Sequence, residues 1–161
     1  MNQEKTDILI IGLGLAGMTA AITAAGAGKK VTIITKTKKL SSGSTPWAQG
    51  GIVYKGLDDT TEKLKNDILK AGAGHCWEEA VDHLCKYGPK LVKEILIDTL
   101  EAEFDKKEGN LNRVSEGAHS EPRVIYKEDQ TGQSIHQAAL AHLQQLENVK
   151  ILVNHTAIDL L

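Results

Sequence analysis

The chain has 161 residues, a formal net charge of -2 and 41% hydrophobic residues. This length suits one ordinary domain with a buried core, and the charge gives no reason to expect binding to nucleic acid or to an anionic membrane. Cys76 and Cys85 form no Cys-x-x-Cys pattern, and the six histidines form no tight cluster. We therefore expect reduced cytosolic thiols and no metal site.

A glycine-rich turn lies between two short apolar runs near the N-terminus. Asp7–Ile11 predicts a fully buried parallel strand, Leu15–Ala27 a helix and Val31–Thr35 a second strand. The turn that joins the first strand to the helix is Gly12-Leu13-Gly14-Leu15-Ala16-Gly17. In this pattern the glycines allow a tight turn, a close approach to a pyrophosphate and close packing of the helix. The run therefore predicts a dinucleotide site with the pyrophosphate at the helix N-terminus.

The same segment has less specific interpretations. Residues from Ile8 to Gly28 carry no charge over a length that could cross a membrane, but Gly, Ala and Thr dominate and no basic cluster precedes them. Glu4 and Asp7 stand where a signal peptide has positive charge. The flanking apolar strands also argue against a chance match of glycines.

The end of the second predicted strand lacks an acidic residue. Many proteins with this turn place Asp or Glu there to hold a ribose hydroxyl, whereas this chain has Thr35-Lys36. A lysine cannot accept a hydrogen bond. On spacing alone, Lys36 either lies beside a phosphate or is a solvated member of a basic run with Lys38 and Lys39.

A second loop of small residues follows. Ser41–Thr45 and then Gln49–Gly51 suit a backbone that wraps around a cofactor, although an ordinary polar surface loop has the same composition.

Helices are expected through most of the remaining chain. Thr60 and Thr61 precede a capped helix over residues 62–72, and Gly88-Pro89 divides two further helices, Glu78–Lys86 and Pro89–Leu100. Residues 106–115 read as an exposed loop, and residues 133–146 as another helix.

The second loop resembles the isoalloxazine-contacting loop of the succinate dehydrogenase and fumarate reductase flavoprotein superfamily, and within it most closely that of the L-aspartate oxidase family. Four further segments resemble the same family in the same order. They are a helix end at Asp67–Gly74, a substrate-side segment at Glu116–Ser120, the Asp-x-Thr-Gly run at Asp129–Gly132, and a strand pair at Val149–Val153 and Thr156–Leu160. The resemblance extends from about residue 7 to the end of the chain.

This resemblance implies an α/β fold, a Rossmann-like FAD-binding domain with a parallel sheet and flanking helices, incomplete in this chain. Residues 1–161 would be its N-terminal portion, with the capping domain and the C-terminal helical domain absent from the chain. Ser44 stands where succinate dehydrogenases and many fumarate reductases carry a histidine bonded to the flavin, so the resemblance implies non-covalent FAD. The lysine at position 36 is typical of the L-aspartate oxidase branch.

Cofactor contacts are also implied by the resemblance. The turn residues Gly12, Leu13, Gly14, Leu15, Ala16 and Gly17 would line the pyrophosphate; Lys36 would lie near the adenosine; Ser44, Thr45, Pro46, Trp47, Ala48, Gln49, Gly50 and Gly51 would surround the flavin ring; and Thr156 and Ala157 would offer backbone contacts at the adenine end.

The family oxidises L-aspartate to iminosuccinate by moving hydride from the α-carbon to flavin N5, and dioxygen or fumarate reoxidises the flavin. Glu116 matches the glutamate that orients the substrate through its ammonium group. His119 and Ser120 are close enough in sequence to share that site. Arg123 either holds a substrate carboxylate or is an exposed structural residue.

The resemblance further implies a cytoplasmic enzyme in the first step of quinolinate and NAD biosynthesis. The pathway, rather than any residue of this chain, suggests quinolinate synthase as a partner. Since the capping domain closes the site over its substrate, we expect the chain alone to be inactive. The alternatives are a fumarate reductase or succinate dehydrogenase flavoprotein, and a non-catalytic FAD-binding remnant.

Overall fold

The structure is a computed structural model that describes residues 4–159. Its strands are β1 Ile8–Ile11, β2 Val31–Ile34, β3 Ile52–Val53, β4 Lys106–Lys107, β5 Asn110–Leu111, β6 Arg113–Val114, β7 Val124–Ile125 and β8 Val149–Leu152. Its α-helices are α1 Leu15–Gly26, α2 Thr61–Gly72, α3 Glu78–Leu91 and α4 Thr131–Gln144. A 3₁₀ turn spans Thr45–Trp47, and a π-helix spans Val92–Thr99.

The chain divides into two compact units. The first unit runs up to Ala48 and resumes at Gly132, and the second unit is Gln49–Thr131. The first unit contains a three-stranded parallel sheet in the order β1-β2-β8. Strand β2 has a neighbour on both edges, and its Val31 and Ile33 are fully buried. The predicted α/β class, with a parallel sheet and flanking helices, is confirmed.

Strand β1 is parallel as predicted, but the prediction that it is fully buried is wrong. Ile8, Leu9 and Ile11 are 37%, 49% and 60% exposed. The cause is that β1 pairs with β2 alone within the described residues, so its second edge and much of its surface stay uncovered. The membrane-spanning alternative is also wrong, because the segment folds into a strand and a 12-residue helix. In residues 4–159 no helix is both long and apolar enough to span a bilayer.

Helices α1 and α4 supply the rest of the first unit's core. Their buried apolar side chains recur at helical spacing, and they are Met18, Ala21 and Ala25 on α1 and Ile135, Ala139 and Leu143 on α4. After α4, the amide of Asn148 donates to the carbonyls of Ala25 and Lys29 at 2.9 and 2.8 Å. One side chain thereby joins the end of α1 to the start of β8.

The expected strand pair near the C-terminal end is only half correct. β8 forms, but residues 155–159 are irregular, and Leu160 lies outside the described residues. Asn154 adopts the left-handed conformation with φ 57° shortly after β8, and the backbone N–H of the next residue, His155, bonds the Thr35 carbonyl at 3.0 Å. The segment that the sequence predicts at the adenosine side is therefore a loop.

The second unit packs two helices beside a small antiparallel sheet in the order β3-β7-β6. Leu64 on α2 and Val81 and Cys85 on α3 form a buried cluster. The Thr60 hydroxyl accepts a hydrogen bond from the Lys63 N–H, which confirms the predicted cap of α2. Both cysteines are free, and burial raises the pKa of the Cys85 thiol.

Two predictions in this unit are wrong. No break occurs at Gly88-Pro89, because α3 runs through Pro89 and continues into the π-helix. A glycine before proline has no Cβ to clash with the ring, so Gly88 can stay helical. The expected loop over 106–115 instead contains the β4–β5 hairpin, whose two-residue turn has Glu108 and Gly109 at φ 52° and 81°.

A substitution of Gly132, near the start of α4, tests how closely the first unit is packed. A Cβ there would collide with the Thr45 carbonyl oxygen and with Ala48. We expect Gly132→Ala to lower the free energy of unfolding by about 2 kcal/mol or more, because the contact is with backbone that cannot move aside. Gly26→Ala is the matched control, since it adds a methyl group in a helix with nothing within 4 Å. Urea unfolding should show a gain of up to about 1 kcal/mol for the control, and equal effects of both variants would contradict the packing described.

Candidate functional site

The glycine turn after β1 exposes the N-terminus of α1. Gly12 has φ 111° and its N–H bonds the Ile34 carbonyl at 2.9 Å, which ties the turn to β2. A Cβ at Gly17 would collide with the Gly12 carbonyl oxygen, so the helix can begin here only because residue 17 is glycine. The N-cap residue Gly14 offers no side chain, and the first turn of α1 has no acid. This helix end is therefore suited to an anion.

The glycine-rich turn and the loop of small residues contact each other at Thr45. The Thr45 hydroxyl accepts a hydrogen bond from the Leu15 N–H at 3.1 Å, so the loop contacts the first turn of α1. The 3₁₀ turn around Pro46 is held from below by the Gly132 N–H, which donates to the Ala48 carbonyl at 2.8 Å. Trp47 on this turn is 76% exposed. Gly132, the last residue of the Asp-x-Thr-Gly run, thus supports this turn through its backbone N–H.

A cavity of about 330 Å³ lies beside the glycine turn. Its walls include six of the residues predicted to contact the cofactor, namely Gly12, Leu13, Gly14, Lys36, Thr156 and Ala157. The lining also includes residues that are not among the predicted cofactor contacts, namely Ile11, Ile34, Thr35, Leu40, Ser42, Gly43 and His155. Ser42 and Gly43 belong to the small-residue loop, so their composition was a usable signal. Nothing in sequence indicated Leu40 or His155, which reach the cavity only through the fold.

His136 on α4 is a further residue that the sequence did not indicate. It is 2% exposed, and its Nε2 has no hydrogen-bond partner among the described residues. Burial lowers the pKa of its imidazole, while the backbone groups of Leu13 and Leu40 oppose that shift. The imidazole thus interacts with the backbone of two residues, Leu13 and Leu40, that line the cavity.

The second unit holds Gln49, Gly50, Gly51 and Glu116. A Cβ at Gly50 would lie 3.6 Å from Glu116 Oε2, and both residues are exposed. A Cβ at Gly51 would collide with Val124 and with the Ile125 carbonyl oxygen, so this glycine lets the loop lie against β7. Within this unit the structure brings the predicted substrate carboxylate next to the predicted flavin loop.

Arg123 occupies neither of the two predicted places. It is fully buried, and both of its ends are taken by carboxylates: Nε and Nη2 donate to Asp59 at 2.7 and 2.8 Å, and Nη1 donates to Asp67. It is therefore neither exposed nor available to a substrate carboxylate. Ser120 likewise donates to Asp67, and His119 contacts Arg123. The two pairings span 64 and 56 residues of sequence, which is why local pattern did not predict them.

Comparison with known proteins identifies the family of this chain. A family model described as FAD binding domain matches residues 7–161. The chain belongs to the FAD binding domain family. FAD is therefore its cofactor, as the sequence resemblance predicted.

The resemblance to L-aspartate oxidases is confirmed by individual relatives. The L-aspartate oxidase of Halobacterium salinarum is 42% identical over 160 residues, which are 99% of this chain and 31% of that protein. The L-aspartate oxidase of Streptomyces coelicolor is 37% identical over 158 residues, which are 96% of this chain and 27% of that protein. The chain thus spans about a third or less of the length of these relatives.

Solved structures support the fold. A variant of the E. coli quinol fumarate reductase has a TM-score of 0.86 at 24% identity, covering 94% of this chain and 26% of that chain. A 3-ketosteroid dehydrogenase from Rhodococcus jostii has a TM-score of 0.72 at 20% identity, covering 92% of this chain and 38% of that chain.

The residues of the first unit fit a dinucleotide cofactor. The cradle beside α1 is one that a side chain at position 17 would destroy, because the added Cβ would strike the Gly12 carbonyl oxygen. The helix end has no acid in its first turn to repel a diphosphate. The cavity also falls within the size range of small-molecule sites.

The buried carboxylate of Asp67 makes the stability of the chain depend on pH. The hydrogen bond from Arg123, followed by that from the Ser120 N–H, lowers the Asp67 pKa from 3.8 to about 2. A lowered pKa stabilises the folded state above the unfolded pKa, and this contribution is lost as the pH falls through the folded pKa. We expect about 2 kcal/mol of unfolding free energy to disappear between about pH 4 and pH 2.

Urea unfolding at several pH values between 5 and 2 measures this loss. Asp67→Asn should be less stable at pH 5 and should show a flatter dependence on pH than the unsubstituted chain. Asp58→Asn, at an exposed neighbouring position, is the control and should keep the original dependence. An unchanged slope in Asp67→Asn would show that other carboxylates cause the acid sensitivity.

Proposed function

We propose that this chain is the N-terminal portion of the FAD-binding domain of an L-aspartate oxidase. The observation that carries the proposal is the position of Glu116, whose carboxylate lies beside Gly50 of the loop assigned to the flavin ring. The relatives named L-aspartate oxidase support the same assignment. The reaction is oxidation of L-aspartate to iminosuccinate, with dioxygen or fumarate as the final acceptor.

The cofactor is held without a covalent bond. The residues from Gly12 to Gly17 and the N-terminus of α1 bind the pyrophosphate, and Lys36, Thr156 and Ala157 line the adenosine end of the cavity. The loop from Ser44 to Gly51 contacts the flavin ring. Bound FAD supplies the two-electron acceptor that takes hydride from the substrate α-carbon.

Glu116 orients the substrate. Its exposed carboxylate accepts hydrogen bonds from the substrate ammonium group, and this charge-assisted pair fixes the rotation of the α-carbon. Succinate and fumarate have no ammonium group, so Glu116 favours L-aspartate over them. The enzyme then belongs to the cytoplasmic pathway to quinolinate and NAD, where quinolinate synthase takes the iminosuccinate.

A flavoprotein of the fumarate reductase type is the second candidate. The close fold likeness to a quinol fumarate reductase favours it, but at 24% identity that likeness concerns the fold. Ser44 in place of a flavin-bonded histidine disfavours it, and so does Glu116, whose carboxylate suits a substrate with an ammonium group. The chain spans 31% of the length of one L-aspartate oxidase relative, and we expect the chain alone to bind L-aspartate without turnover.

Gly17→Ala tests the cofactor site. We expect the dissociation constant for FAD to rise at least tenfold, because the added Cβ displaces the Gly12 carbonyl and deforms the turn. Quenching of flavin fluorescence during titration measures it. Gly26→Ala, in the same helix and with open space around the added methyl group, should bind FAD like the unsubstituted chain. Equal affinities of all three proteins would argue against pyrophosphate binding at this turn.

Glu116→Gln tests the substrate assignment. The FAD-loaded chain is titrated with L-aspartate and with succinate, and the change in the flavin absorption band gives each dissociation constant. Loss of one charge-assisted bond should weaken L-aspartate binding about 10- to 100-fold and leave succinate binding nearly unchanged. Glu79→Gln, at an exposed position on α3, is the control and should have no effect. Tighter binding of succinate than of L-aspartate by the unsubstituted chain would favour the second candidate.

A further inference from the structure

Arg123 forms ion pairs with two carboxylates that reach it from different segments. The guanidinium makes a two-bond contact with Asp59, which follows β3, and a one-bond contact with Asp67 on α2. Arg123 and Asp59 are 0% and 5% exposed at their side chains, and Asp67 is 12% exposed. Burial at this level is tolerated because every charge has a partner.

The two carboxylates differ in what else they hold. Asp67 Oδ2 accepts from the Ser120 N–H and from the Ser120 hydroxyl, both at 2.8 Å. Asp59 Oδ2 accepts from the Gly56 N–H at 3.2 Å, within its own loop. Asp67 therefore connects Arg123 to the Glu116–Ser120 segment. The contacts of Asp59 with Arg123 and Gly56 do not involve that segment.

A further contact from Arg123 reaches the same segment. Its Nη1 lies 2.8 Å from His119 Nδ1, and because a guanidinium only donates, the imidazole nitrogen accepts. The backbone N–H of His119 donates to the Glu116 carbonyl at 3.2 Å, and Gly117 has φ 54° inside this tight turn. Glu116 thus begins a turn whose other end is held at two consecutive residues.

We propose that Arg123 is a positioning residue of the substrate site, which acts through Asp67, His119 and Ser120 to hold the Glu116 carboxylate beside Gly50. This inference rests on the proposed function, since it assigns the held carboxylate to the substrate ammonium group. Arg123 itself touches neither substrate nor cofactor. Its effect is specificity, because a loosely held Glu116 would lose the oriented pair with L-aspartate while plain dicarboxylates bind as before.

A purely structural ion pair makes a different prediction. Removing either carboxylate then destabilises the second unit as a whole, with no effect confined to the Glu116–Ser120 turn, because each removal leaves Arg123 with one buried carboxylate partner. Positioning instead requires that Asp67→Asn and Asp59→Asn differ. Only Asp67→Asn weakens the contacts that end at Ser120.

Hydrogen exchange of the backbone amides separates the two cases and needs neither cofactor nor substrate. We expect Asp67→Asn to accelerate exchange of the His119 amide, whose acceptor is the Glu116 carbonyl and not Asp67, at least tenfold beyond the change in global stability. Asp59→Asn should change that amide less than threefold after the same correction. Equal acceleration by both variants would overturn the positioning role.

Ligand binding completes the test. Ser120→Ala removes one bond to Asp67 and leaves the Arg123 ion pairs intact, so it avoids the risk that the chain fails to fold. In the FAD-loaded chain it should raise the dissociation constant for L-aspartate about three- to tenfold and leave that for succinate unchanged. Asp58→Asn is the control. Unchanged affinity for L-aspartate in both Ser120→Ala and Asp67→Asn would overturn the proposal.

The hydrogen-exchange and ligand-binding experiments together distinguish failure of the positioning role from failure of the proposed function. If the unsubstituted FAD-loaded chain does not respond to L-aspartate, the proposed function fails, and the substrate role assigned to the Arg123 contacts fails with it. If L-aspartate binds but the Asp67→Asn and Asp59→Asn variants behave alike, the proposed function stands and Arg123 is structural only.

Discussion

At three positions in this chain, one segment of backbone lies so close to the carbonyl oxygen of another that only glycine fits. Gly17 faces the Gly12 carbonyl, Gly51 the Ile125 carbonyl and Gly132 the Thr45 carbonyl. Each contact joins a motif to the element that supports it. The first forms the turn at α1, the second sets the loop against β7, and the third holds the loop from α4. The glycines of these motifs thus create the packing on which the remaining cofactor contacts depend.

The second unit depends on a different constraint, the cost of burying charge. Arg123 can be fully buried only because two carboxylates satisfy its donors. The same requirement brings the turn that contains Glu116 to a defined place, since Asp67 shares one oxygen between Arg123 and Ser120. Stability and the position of the proposed substrate carboxylate therefore arise from one set of hydrogen bonds.

Local pattern predicted those features that depend on neighbours in sequence. The strands around the glycine turn, the cap at Thr60 and the free cysteines follow from short-range chemistry, and the structure confirms them. The break at Pro89 was wrong because the preceding residue is a glycine, which tolerates the helical conformation. The exposure of β1 and the pairing of Arg123 depend on contacts between residues distant in sequence. Patterns of neighbouring residues cannot predict such contacts. For the cavity, composition indicated the glycine and serine residues, while the positions of Leu40 and His155 in its wall depend on the fold.

We expect this chain to hold FAD without a covalent bond. The most direct measurement is the visible absorption spectrum of the chain after incubation with FAD and removal of free ligand, followed by denaturation. A flavin band should stay with the folded protein and pass entirely into the soluble fraction when the protein is precipitated. A protein that retains no flavin would show that the chain does not hold FAD, and flavin that stays with the denatured chain would show a covalent bond.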